Sequence, residues 1–285
     1  MRNSGDNIKI VVNGQTVNYD DNGPVNAPTI IFIHGFPFNK SVWRLQAELF
    51  KNNYRVIAYD IRGHGESTSG DQPPSIELFT EDLIAFMNLL NLEKVMLCGL
   101  SMGGHVALNA IQKYPGRFIS LVLSGTKCPA DNEEAREQRI VEKQQLKEKG
   151  IDNYADESLK RLFAPVSFST RKEEVRATRK MIVENNPEEV SRTLAALAER
   201  KETCSGLAQI NVPVLILVGK EDKITPPTEA QYLNERIKGS QLSVIEYAGH
   251  LANLENTHEY NEILGKFIDQ VCESKELSFH SQADR

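Results

Sequence analysis

Along residues 8–20 ("IKIVVNGQTVNYD") apolar and polar positions alternate in two short runs around Asn13 and Gly14, the signature of a β-hairpin. The texture then changes. Runs of four to six apolar residues ("TIIFIHG", "YRVIAYD", "KVMLCG", "FISLVLSG") alternate with stretches whose apolar positions recur at helical spacing: 41–51, 75–90 and 102–114. Strands apolar on both faces and separated by helices predict a mostly parallel sheet covered on both sides. From Thr126 to Asn211 the strand signal disappears. Four charged amphipathic helices are expected there, "NEEAREQRIVEKQQLKEKG", "DESLKRLFA", "TRKEEVRATRKMIVEN" and "PEEVSRTLAALAERK". The alternation resumes with "VPVLILVG", a helix opened by Pro226 and Pro227, "LSVIEYAG", and a last helix from about Asn253 to Val271. The expected organisation is therefore an α/β core over 1–125 and 212–273, a helical cap over 126–211, and a polar tail over 274–285 that frays.

Composition narrows the classes. A formal charge of −6, with both signs mixed along 285 residues, gives no electrostatic reason to expect nucleic acid or an anionic membrane as partner. A small neutral or modestly polar substrate fits better. No long apolar segment follows a basic start, and no apolar run approaches membrane-spanning length, so a cytoplasmic location is expected. The four cysteines (Cys98, Cys128, Cys204, Cys272) lie far apart without metal or dithiol spacing, and reduced thiols are expected. Zinc-protease, phosphate-loop and dinucleotide fingerprints are missing, so neither metal nor cofactor is expected. Oligomeric state is not legible.

The chemistry gathers at strand ends, where ligands of such sheets sit. In "CGLSMGG" a strand turns into a helix within a few residues, and Ser101 stands between glycines that relieve the cramped turn. A hydroxyl near its ordinary pKa is a poor nucleophile and needs a base. Of six histidines, His250 in "YAGHLANLEN" follows the last strand and hangs over the carboxyl edge of the sheet. His34 and His64 sit in tight glycine turns and read as holding their loops; His105, His258 and His280 fall in helices or the tail. The base needs a carboxylate to fix its tautomer. Asp222 in "LVGKEDKITPP" ends the penultimate strand; Glu221 beside it is the rival, but points the other way at a strand end, and Asp60 reads as holding its own loop.

"HGFP", "DIRGHGES", "GLSMGG" and "AGH", in this order and at strand ends, make the chain resemble the α/β-hydrolase superfamily over almost its whole length. In texture it is similar to small bacterial esterases and lactonases, including the 3-oxoadipate enol-lactonase type, while "HGFP" looks more like general esterases and haloperoxidase-like perhydrolases. The resemblance implies an eight-stranded, mostly parallel sheet with a helical cap after the sixth strand. It also implies a Ser101–Asp222–His250 triad and an oxyanion hole from two backbone N–H groups, one of them on Met102. In the "HGFP" loop Pro37 has no N–H and favours an extended predecessor, which selects Phe36 as the second donor. Pocket-forming candidates are Phe38, Trp43, Leu162, Phe163 and Met181, with Phe36 and Met102. Cleavage of a small-molecule ester or lactone through an acyl-enzyme is the leading expectation. Carbon–carbon hydrolysis or perhydrolysis by the same residues, and a ligand-responsive signalling protein that hydrolyses slowly, are the alternatives.

Overall fold

The computed structural model describes residues 4–283, with side chains through Ser274. The hairpin forms β1 (Gly5–Val12) and β2 (Gln15–Asn22), joined at Asn13 and Gly14, which both take positive φ (48° and 77°), as a two-residue turn matched to strand twist requires. The other strands are β3 (Thr29–Ile33), β4 (Arg55–Tyr59), β5 (Val95–Leu100), β6 (Phe118–Ser124), β7 (Val214–Gly219) and β8 (Gln241–Ile245). They form one eight-stranded sheet in the order β1-β2-β4-β3-β5-β6-β7-β8. Only the β1–β2 and β2–β4 pairings are antiparallel. The expected last strand "LSVIEYAG" stops at Ile245, because the chain turns away at Tyr247 with φ 55°.

Because side chains alternate along a strand, each strand feeds two cores. Ile31, Ile33, Ile57, Leu97 and Leu123 face one side, where α2 (Ile76–Leu89), α3 (Met102–Lys113) and α8 (Pro227–Arg236) bring Phe79, Leu83, Val106 and Leu233. Ile30, Phe32, Met96, Cys98 and Leu217 face the other, against Phe50 of α1 (Arg44–Phe50) and Leu264 and Phe267 of α10 (Thr257–Ala283). Each such side chain taken fully from water contributes roughly 1.5–3 kcal/mol. Cys98 behaves here as a small apolar residue, and burial pushes its thiol pKa upward. The backbone of α10 runs to Ala283, well past Val271 and through most of the expected tail; Asp284 and Arg285 lie outside the described residues.

Between β6 and β7 the chain forms α4 (Glu133–Leu162), α5 (Ser167–Thr170), α6 (Lys172–Val183) and α7 (Pro187–Glu199). The first two expected helices are one element, bent where Gly150 leaves helical geometry (φ 79°, ψ 174°). Leu159, Leu162, Ile182 and Leu194 of this insert join the second core, which seats it over the carboxyl ends of the strands. The expectation of four reduced thiols is corrected at the neck of the insert. Cys128 and Cys204, 76 residues apart, form a disulfide with Cα atoms 4.9 Å apart, and the Thr203 N–H donates to the Cys128 carbonyl beside it (2.9 Å). Sequence spacing hid the pair, since only the return of the chain from the insert brings its two ends together. No helix among the described residues is long and apolar enough to cross a membrane.

Candidate active site

Ser101 caps α3 with φ 52° and ψ −110°, a region that side chains rarely enter, and the surrounding backbone holds it there. Its N–H donates to the Ser124 carbonyl (2.8 Å), and its own carbonyl accepts from Gly104 N–H, His105 N–H and Thr126 Oγ1 (2.9, 3.1 and 2.9 Å). The flanking glycines are required by close approach. A Cβ on Gly99 would stand 2.3 Å from the Gly103 carbonyl oxygen, and one on Gly103 would stand 2.3 Å from that of Ile33. Ser101 lines a cavity of about 310 Å³ between the sheet edge and the helical insert.

His250 lines the same cavity. Its Nδ1 is 2.8 Å from Asp222 Oδ2 in a buried contact, which places the proton on Nδ1 and leaves Nε2 as the acceptor nitrogen. Asp222 also accepts from Ile224 N–H, Thr225 N–H and Thr225 Oγ1 (2.8, 2.9 and 2.7 Å). Burial pushes the Asp222 carboxyl up, but His250 and the Thr225 donors outweigh it and hold the pKa below the ordinary value. The neighbouring Glu221 is exposed and its backbone N–H bonds the Ala248 carbonyl, so Asp222 is the carboxylate that reaches the ring. Among the described residues Ser101 makes no hydrogen bond to His250; apo sites often hold this pair loosely.

Phe36 and Met102 also line the cavity, and among the described residues neither backbone N–H donates to a protein acceptor. The Met102 amide opens α3, where unpaired N–H groups and the helix dipole favour negative charge. Asn185 fastens the Phe36–Pro37 loop: its amide donates to the Pro37 carbonyl (2.9 Å) and accepts from Gly65 N–H (3.0 Å).

The remaining polar groups sort into supports. His34 Nε2 accepts from Ile61 N–H (2.9 Å), so its Nδ1 donates to the Gly35 carbonyl (2.8 Å), and burial lowers its pKa to about 4. His64 Nδ1 lies 3.0 Å from the Arg62 carbonyl, and burial lowers its pKa to about 3. Asp60 ties loops together by accepting from Lys40 N–H and Glu66 N–H (2.7 and 3.0 Å). His105, set aside in the sequence as a helix residue, lines the cavity, where Arg200 Nε donates to its Nε2 (3.2 Å). His258 is exposed on α10, and the side chain of His280 lies outside the described residues.

Of the pocket candidates, Leu162 lines the cavity together with Phe36 and Met102. The others are corrected to core positions. Phe38 and Trp43 are fully buried in the second core, and the Trp43 ring, at the end of the 3-10 turn Lys40–Trp43, packs 4.8 Å from Phe32. Phe163 and Met181 fasten the insert to the second core.

Glu255 at the end of α9 (Ala252–Glu255) was not singled out from the sequence, although it follows His250 by one helical turn and more. One carboxylate oxygen accepts from Gly249 N–H and Leu251 N–H (2.8 and 3.2 Å), bracketing His250. The other accepts from Ala164 N–H and Ser167 Oγ (both 2.7 Å), between the end of α4 and the start of α5. Burial raises its pKa against these four donors. Glu255→Gln must turn an NH₂ toward one set of donors, so urea denaturation should show a loss of about 2–3 kcal/mol; a change under ~0.5 kcal/mol would contradict the clamp.

Comparison with known proteins places this geometry in a lineage. Residues 28–257 match a family model described as alpha/beta hydrolase fold. The chain is 30% identical over 245 residues to 3-oxoadipate enol-lactonase 2 of Acinetobacter baylyi, covering 86% of this chain and 90% of that one. It superposes on a thermophilic esterase from Thermogutta terrifontis with TM-score 0.87 and 32% identity, covering 93% and 98% of the two chains. An enol-lactonase from Burkholderia xenovorans LB400 gives TM-score 0.86 at 25% identity, over 92% and 100%. With its eight-stranded sheet, its serine turn and these relatives, the chain belongs to the alpha/beta hydrolase fold family.

Proposed function

We propose that this protein hydrolyses a carboxylic ester or lactone of a small molecule through an acyl-enzyme on Ser101. The observation that carries the reading is the buried 2.8 Å Asp222–His250 contact at a cavity that Ser101 also lines. With Nδ1 committed to Asp222, His250 Nε2 accepts the Ser101 proton as Oγ attacks the carbonyl carbon. The tetrahedral oxyanion takes hydrogen bonds from the Phe36 and Met102 amides, each such donor commonly giving about 10²–10³-fold in rate. His250 returns the proton to the leaving alkoxide, then takes one from water as it attacks the acyl-enzyme, and gives it to Ser101 Oγ as the acyl–oxygen bond breaks and the acid leaves. The esterase and enol-lactonase relatives support this choice of bond, and the insert over 126–211 serves as the lid that shapes the pocket.

The test is covalent. An alkyl p-nitrophenyl phosphonate should add one phosphonyl group per chain, mapped by peptide mass spectrometry to Ser101, with parallel loss of p-nitrophenyl acetate hydrolysis. Full hydrolysis by a protein that carries no adduct on Ser101 would remove the serine from its role.

A further inference from the structure

The cavity above Ser101 is unusually charged for a site expected to take neutral esters. Four cationic side chains line it, Lys127, Arg139, Arg161 and Lys223, against two carboxylates, Asp131 and Glu142. Arg161 is matched by Glu142 through a direct ion pair. Asp131 is oversubscribed. Its side chain is 1% exposed and has Arg139 at 2.5 Å, Arg200 at 3.1 Å and Lys127 at 3.6 Å. One carboxylate against three cations leaves positive charge uncompensated in a region partly closed to water, where an anion gains more than it would at an open surface. Lys127 and Arg139 remain about one-fifth exposed, so their heads are reachable from the cavity. Lys223 has no ion pair among the described residues and stands beside Asp222 on the histidine side.

The arrangement is also tied to the nucleophile. Arg200 bonds His105, His105 Nδ1 lies 3.4 Å from Thr126 Oγ1, and Thr126 donates to the Ser101 carbonyl, so the cationic wall and the serine turn share one framework.

We propose that the preferred substrate is an ester or lactone that carries a second, free carboxylate, held by Lys127 and Arg139 while Ser101 faces the scissile carbonyl. This rests on the hydrolase reading above and names its substrate class. A carboxylate there completes the charge balance that Asp131 leaves open; a neutral chain of the same length must bury its apolar atoms against cationic heads.

Two substrate pairs of matched length test it: monomethyl adipate against methyl heptanoate, with the charge on the acyl side, and 4-acetoxybutanoate against pentyl acetate, with the charge on the alcohol side. In at least one pair kcat/KM should favour the acid by about tenfold to a hundredfold at low salt, the range of a charge-assisted hydrogen bond. The preference should shrink between about 20 mM and about 0.5 M salt as screening rises. Lys127→Met, which leaves Asp131 both of its arginines, should lower the acid-to-neutral ratio about fivefold or more, and Arg139→Met should do the same. If the neutral ester is turned over as well as or better than its acid in both pairs, the proposal is overturned and the hydrolase reading stands. A ratio unmoved by either variant overturns it too. No turnover of any of the four, with no phosphonate adduct on Ser101, takes both readings down.

Discussion

Ser101→Ala is expected to lower kcat/KM on p-nitrophenyl acetate by about 10³-fold or more while the fold stays intact. The two halves of this expectation have separate causes. The rate falls because alanine offers His250 Nε2 no proton to take and the carbonyl no nucleophile, leaving only binding and the oxyanion donors. Stability holds because the structural bonds at this position come from the Ser101 backbone, its N–H to Ser124 and its carbonyl to Gly104, His105 and Thr126. Alanine keeps all of them and has the same Cβ at φ 52°. Unfolding free energies of the variant and the parent from urea titration should therefore agree within about 0.5 kcal/mol. Turnover within tenfold of the parent, with no second serine labelled by the phosphonate, would mean that another group performs the attack.

Acidification should unfold this protein through its buried imidazoles. His34 and His64 are lowered by burial to about 4 and about 3, and His105 is lowered well below 6.5, also by burial first, with Arg200 and other cations adding to it. All three are neutral in the folded chain but titrate near 6.5 when unfolded. Above that value neither state binds the protons and the full stability is present. As pH falls below it, the unfolded chain takes up three protons that the folded chain refuses, and stability drops by up to about 1.4 kcal/mol per pH unit for each group, until the folded values are reached. Between pH 7 and pH 5 His34 and His64 together cost about 3–4 kcal/mol, and His105, lowered in the same direction, adds to the loss. Asp60 and Glu255, whose pKa values burial raises, bind protons better when folded and offset part of this loss. Asp222, held low, acts later, losing its contribution only as pH falls below the ordinary aspartate range. Against a usual total of about 5–15 kcal/mol the net change is large. Urea titrations at pH 7, 6 and 5 should show a steadily falling midpoint, and a flat profile would mean that these rings are protonated or solvated when folded.

The candidate residues Ser101, Asp222 and His250 could be singled out from the chain because each follows the end of a local pattern. An apolar strand stops at Leu100, and the turn that follows has no room for a side chain at Gly99 or Gly103, which leaves Ser101 marked between them. His250 and Asp222 were read in the same way, from their places after the last two apolar strand runs. The pocket walls were not. Phe38, Trp43 and Leu162 are equally apolar on paper and all three join the second core, but Leu162 also reaches the cavity wall, a difference that only the packing of the insert decides. The charged wall was not singled out either, since Asp131 and Arg139 are eight residues apart and become a partly enclosed cluster only when Arg200 returns from the far end of the insert.

By itself the sequence determined which stretches form strands and helices, and it marked three polar side chains after strand ends as candidates, because periodicity, glycine turns and proline breaks are local and their consequences are decided within a few residues. Tertiary structure alone decided the disulfide at the neck, the Glu255 clamp around His250, the buried histidines that answer to acid, and the cationic wall. Each of those depends on groups tens of residues apart meeting out of water, where a charge or a hydrogen bond has an energy that no spacing in the chain encodes.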